Sequence, residues 1–227
     1  MTTVGPRFAR PDDLAVVRVG RLPDPLAFVP LAVHTWAGRF DDPHRLWRTL
    51  YAAEDEYGAW VEVLGRFRGH TGTSELAAAV EPEATDREPA PAGTVALSWI
   101  GERGVARAEV RARVVDLGSD VTLRWLDLRA PLRGLLMERG IRDLDLSVVV
   151  GPDRRVTQAV ARELRASADA DVLRYPSRYG GPSVCFAIFE PIDGLPDIRA
   201  SGASSPADPR SRPLERAMAL HGLRWSD

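Results

Sequence analysis

Lysine is missing from this 227-residue chain, so all 30 residues of the Lys+Arg class are arginine. Chemistry through a lysine Schiff base is thereby excluded. The all-arginine usage, beside abundant Ala, Val and Leu, points to a GC-rich bacterial genome. It also lowers the weight of any single arginine, because arginine is the default cation here. One cysteine, Cys185, rules out an intrachain disulfide framework and a cysteine-rich metal site. The histidines are His34, His44, His70 and His221, and no pair stands at HExxH spacing, so no metal is expected. Ser177 and Ser183 lack a G-x-S-x-G elbow, and no Gly-rich phosphate loop of the Rossmann or Walker kind is present. No window approaches the roughly 20 apolar residues of a membrane span. The N-terminal stretch lacks the apolar core of a signal peptide, which makes the cytoplasm the expected location. A net charge of −2 and a pI near 6.1 provide no basic field for nucleic acid or an anionic membrane.

What the chain does contain is ordinary globular material, 44% hydrophobic and 27% charged. Residues 14–19 (LAVVRV) and 49–53 (TLYAA) read as short strands, separated by a proline-rich loop and the turn TWAGRFDDP. Residues 54–68 read as a helix with an acidic first turn and an apolar stripe of Trp60, Leu64 and Phe67. A Glu/Pro/Ala/Thr-rich stretch, 69–93, reads as a solvated loop. Further on, 105–117 reads as a strand with one wet face and 128–140 as a helix ending at Gly140. DLSVVV (145–150) reads as a strand and 153–168 as an amphipathic helix. DVLRYPSRYGGPSVCFAIFEP reads as strand, Gly-rich loop and strand, and PLERAMALHGL as a closing helix. Short strands alternating irregularly with helices predict an α+β fold of mixed short-strand sheets with packed helices.

The densest chemistry lies between Arg18 and Glu62. Arg18 and Arg21 flank Gly20, Arg39 follows Gly38 in a turn, Tyr51 sits on a strand, and Glu62 lies off the apolar stripe of the next helix. Each has a plain structural reading too: Arg39 could cap its turn through Asp41, Tyr51 could be core, and Glu62 could pair with Arg66. Together they suit a nucleotide. Guanidinium forks bind phosphate oxygens, a tyrosine stacks on a flat heterocycle, and a carboxylate steadies an oxocarbenium-like ribose as an N-glycosidic bond breaks. No second acid is required when the leaving group departs neutral, as nicotinamide does.

Three stretches go further: VVRVGRLPDPLAF, GRFDDPHRLWRTLYAAEDEYGAWVEVLGRFR and RYPSRYGGPSVCFAIFEP. They closely resemble the RES domain, and the middle one is the most specific. SWIGERGVARAEV and RVTQAVARELR are similar to the family's later strand and helix. The resemblance covers residues 14–195, with an insert at 69–93, and leaves 196–227 as a C-terminal tail with a short helix. It implies an ADP-ribosyltransferase-like fold and NAD as substrate, with phosphate as a candidate second substrate. It also implies a helical Xre-type antitoxin that covers the site of a type II toxin. It leaves a homodimer open, and includes no metal and no direct contact with nucleic acid or membrane. Residue by residue, it implies that Arg18 (with Arg21 as the fallback) and Arg39 hold the pyrophosphate and ribose side. Tyr51 would line the nicotinamide pocket, Glu62 would act at the ribose C1′, and Ser177 would shape the pocket or bond the ribose. The acceptor stays open among water, phosphate and a protein side chain. The alternatives are a protein ADP-ribosyltransferase and a non-catalytic interaction protein on the same fold.

Overall fold

The structure is a computed structural model that describes residues 5–9, 14–68, 91–179, 181–192, 194 and 196–226. Most of the expected solvated loop, residues 69–90, lies outside the described residues. In chain order the first elements are β1 (Phe8–Ala9), β2 (Leu14–Arg21), β3 (Thr49–Ala53), α1 (Glu56–Leu64), β4 (Thr94–Ala96) and α2 (Leu97–Gly101). Then come β5 (Arg103–Arg111), β6 (Val114–Asp116), α3 (Asp120–Asp127), α4 (Ala130–Glu138), α5 (Leu146–Val150) and α6 (Arg154–Ala168). The chain closes with β7 (Val172–Pro176), β8 (Val184–Phe189), β9 (Asp197–Ala200), β10 (Ser205–Pro206), α7 (Arg212–His221) and β11 (Arg224–Ser226). The fold class is mixed α+β, as expected. No helix among the described residues is long and apolar enough to cross a membrane.

A nine-stranded sheet runs β1-β6-β7-β8-β3-β2-β5-β10, with β9 also on β5; β6 and β7 are parallel and the other pairs antiparallel. A small parallel pair, β4 and β11, stands apart. Register sets the faces. Val17 lies opposite Ala53, Ala53 opposite Cys185, and Cys185 opposite Tyr175, so these side chains share one face. That face carries two helical layers. α1 and α7 pack over its β2–β5 end through Trp60, Val61, Leu64, Leu214 and Met218. α3 to α6 cover the β7–β8 end, with Val156, Val160 and Leu164 of α6 fully buried. Each such aliphatic side chain contributes about 1.5–3 kcal/mol on burial.

β2 and β3 are bridged at Val17↔Ala53, and toward Arg21 and Thr49 they diverge. The gap between them, flanked by the two helical layers, is where a cleft opens.

Local chemistry explains the helices. The Asp55 side chain caps α1 by accepting from Gly58 N at 2.6 Å, and Asp153 caps α6 by accepting from Arg155 N and Val156 N. The DLSVVV run departs from its strand expectation and forms α5. Its Asp145 accepts from Val148 N at 3.0 Å and from the Ser147 hydroxyl, so an N-cap outweighs the β preference of three valines. The single strand expected over 105–117 is broken between β5 and β6. There the fully buried Asp171 carboxylate takes both the Arg113 backbone N–H and its guanidinium, and turns the chain onto β7. Burial opposes the Asp171 charge, but its arginine partners prevail and hold its pKa below the ordinary carboxylate value. The helices α2 and α3 are additions to the sequence reading, and the helix expected over 128–140 is α4 alone.

Candidate active site

The cleft between β2 and β3 encloses about 280 Å³. Glu62 reaches it from α1, Tyr51 from β3, Tyr175 from β7, Tyr179 from the β7–β8 loop and Arg154 from the first turn of α6. Arg18 and Arg39 line it as well. Five arginines (Arg18, Arg39, Arg66, Arg154, Arg178) face two carboxylates, Asp41 and Glu62.

Glu62 is held from behind. The Ser177 hydroxyl donates to Glu62 Oε1 at 2.6 Å, and Ser177 Oγ in turn accepts from Tyr179 N at 3.2 Å. Burial first, then the charge of the nearby Glu62 carboxylate, pushes the Cys185 thiol well above its ordinary pKa, so it stays protonated. Ser177 and Cys185 both belong to the β7–β8 hairpin, over a hundred residues beyond Glu62.

The turn at 36–41 supplies a further part of the lining through Ala37, Gly38, Arg39 and Asp41. Asp41 accepts from Gly38 N at 2.7 Å and from the Tyr51 hydroxyl at 2.9 Å, while the Tyr51 oxygen accepts from Phe40 N at 2.8 Å. A Cβ on Gly38 would lie 2.5 Å from the Tyr51 hydroxyl and 2.6 Å from Asp41 Oδ1, so a side chain there would break this knot. Burial first, then the Asp41 charge, raises the Tyr51 pKa well above that of a free phenol. Helix α6 ties the turn down: Thr157 Oγ1 donates to Arg39 O at 2.6 Å, Gln158 Nε2 to Gly38 O at 3.0 Å, and Arg154 to Ala37 O. Arg39 is thereby presented with its Nη1 buried and without a hydrogen-bond partner among the described residues.

Tyr179 forms a further side of the cleft. It meets the His221 ring edge-on (4.8 Å between centroids, 83° between planes) and carries the Arg178 guanidinium 4.8 Å from its centroid. Gly65 makes room for it, since a Cβ there would fall 2.0 Å from the Tyr179 hydroxyl. His221 Nε2 lies 2.8 Å from Val61 O, and burial lowers the imidazole pKa.

The structure thus gathers Arg18, Arg39, Tyr51 and Glu62 around one cleft. Arg18 also donates to Ala27 O at 2.8 Å. Arg21 sits apart from the cleft, 3.5 Å from Glu102 at the far end of β2. Ser177 stands behind the Glu62 carboxylate and is only 7% exposed. The Tyr51 ring lines the cleft while its hydroxyl serves the turn. Arg154, Arg178 and Tyr179 were not singled out from the sequence. Arg178 and Tyr179 directly follow Ser177 in YPSRYGG, an available hint, whereas Arg154 reads as one more helix arginine until α6 is packed. Among the described residues no group of His, Cys, Asp or Glu is placed to hold a metal ion.

The family model described as RES domain matches residues 15–208. Among solved structures, the chain is similar to a chain of the crystal structure of the M. tuberculosis MbcT–MbcA toxin–antitoxin complex. The TM-score is 0.53 and the identity 14%, over 93% of this chain and 90% of that one. At that identity the likeness is one of fold. No curated protein matches.

Proposed function

The chain belongs to the RES-domain family, and from that premise we propose that it is an NAD-consuming enzyme that breaks the bond between nicotinamide and ribose. The observation that carries this reading is the Glu62 carboxylate, held by Ser177 at the wall of a cleft that five arginines and three tyrosines also line. As the C1′–N bond breaks, its electron pair goes to the nicotinamide nitrogen, which leaves neutral. Positive charge then spreads over C1′ and the ring oxygen of the ribose. A carboxylate fixed before the reaction stabilises that charge without reorganising. An acceptor oxygen then bonds to C1′: water does so with release of a proton to solvent, and phosphate through an anionic oxygen that needs no proton transfer. Tyr51 and Tyr179 offer ring faces to the nicotinamide.

We further propose that the protein is the toxin of a toxin–antitoxin pair. The similarity in fold to a chain of such a complex supports this. The partner would cover the cleft mouth, beside which Leu31 is 64% exposed and the cleft-lining Val33 37%. The test is nicotinamide release from NAD by the purified protein, with and without phosphate. Release with free ADP-ribose as coproduct is expected for hydrolysis, and a phosphorylated ADP-ribose that appears only with phosphate for phosphorolysis. No release under either condition would reject the reading.

A further inference from the structure

Guanidinium groups repel one another, so several that gather in one cleft suit a shared anion. Arg154 is half-buried on α6, Arg178 extends from the β7–β8 loop, and Arg39 projects from the turn. All three line the cleft. Burial first, then the charges of Arg178 and Arg39, lower the pKa of Arg154, with Asp41 acting in the opposite sense, which places both other cations within reach of Arg154. Among the described residues, neither carboxylate of the cleft hydrogen-bonds any of the three. Asp41 takes Gly38 N and the Tyr51 hydroxyl, and Glu62 takes the Ser177 hydroxyl. Arg39 Nη1 is buried with no hydrogen-bond partner among the described residues. Arg154 uses one nitrogen on Ala37 O, which orients its planar fork.

We infer that Arg154 and Arg178, together with Arg39, form a clamp for the diphosphate of a dinucleotide. The clamp is assembled from three separate elements that line the same cleft as the Ser177-held Glu62. It deepens the NAD reading and rests on it for the identity of the dinucleotide. A diphosphate carries two negative charges and several oxygens, which matches three forked donors better than a single orthophosphate would.

The test is calorimetric binding of ADP-ribose, nicotinamide riboside and orthophosphate to the full chain, its Arg154→Gln variant and its Arg178→Gln variant. Arg178 is exposed, so its variant keeps the fold even if Arg154→Gln loosens the turn. Expected is a loss of about 10- to 100-fold in ADP-ribose affinity for each variant, as follows from removing a charge-assisted hydrogen bond. Nicotinamide riboside, which lacks the diphosphate, should change less than about twofold by the same reasoning. Three results would overturn the clamp: wild type that fails to bind ADP-ribose, variants that bind it as wild type does, or losses confined to orthophosphate. The last would make the cluster an acceptor site. Because binding is read, a wild-type protein that binds ADP-ribose but leaves NAD intact would sink the proposed reaction and not the clamp.

Discussion

Removing the Ser177 hydroxyl should slow the reaction without weakening substrate binding. The hydroxyl donates to Glu62 Oε1 at 2.6 Å from a position 7% exposed, so Ser177→Ala leaves a carboxylate oxygen without its fixed donor. A hydrogen bond to a charged group is worth about 1.5–3 kcal/mol. If most of that is expressed in how the carboxylate meets the developing ribose cation, kcat falls about 10- to 100-fold, at 1.36 kcal/mol per tenfold. KM should move little, because Ser177 is behind the carboxylate and not among the cleft-lining residues. Ser177→Thr retains a hydroxyl and should restore much of the rate. Steady-state nicotinamide release over a range of NAD concentrations separates the two constants. A raised KM with unchanged kcat would refute this reasoning and return Ser177 to the substrate-binding role implied by the family resemblance.

Other consequences concern stability. Asp171 is fully buried and bonded to Arg113 and to Arg165, itself 9% exposed. Asp171→Ala should cost about 3–5 kcal/mol, the usual cost of leaving a buried partner charge uncompensated; urea denaturation would measure it. His221 is buried with its pKa lowered, so the unfolded chain takes up the proton more readily. Stability should therefore be level above about pH 6.5, the ordinary histidine value, and decline as the pH falls below it through the folded-state value. Comparing urea midpoints for wild type and His221→Phe at pH 7.5 and 5 isolates that contribution; identical pH dependence in both would contradict it.

The sequence was most legible where the chemistry is local. The TLYAA strand, the α1 helix behind its Asp55 cap, α6 behind Asp153 and the α7 helix ending at Gly222 all follow from caps, spacing and glycine. It misled where a cap opposed a propensity, as at Asp145 before three valines, and where a distant group decided the outcome, as Asp171 does by breaking the strand at Arg113. The site shows the same division. Arg39, Tyr51 and Glu62 belong to consecutive elements and could be grouped on sight. The Ser177–Glu62 hydrogen bond spans 115 residues, and the bond that orients Arg154 spans 117. Both depend on β7, β8 and α6 packing beside β3, which no spacing rule expresses. Arg18 and Arg21 were indistinguishable until the divergence of β2 from β3 placed Arg18 at the cleft and Arg21 beside Glu102.

The Glu62 charge is proposed to drive cleavage of NAD, and a Glu62→Gln variant isolates that charge. Glutamine keeps the shape and a hydrogen-bonding oxygen for Ser177 but removes the charge. A unit charge acting over about 4 Å at an effective dielectric of about 20 is worth about 4 kcal/mol, or roughly a thousandfold in rate. Nicotinamide release by the purified proteins, with ADP-ribose binding measured alongside to show an intact cleft, should drop by about that factor while binding holds. A Glu62→Gln protein that releases nicotinamide at the wild-type rate would contradict the account.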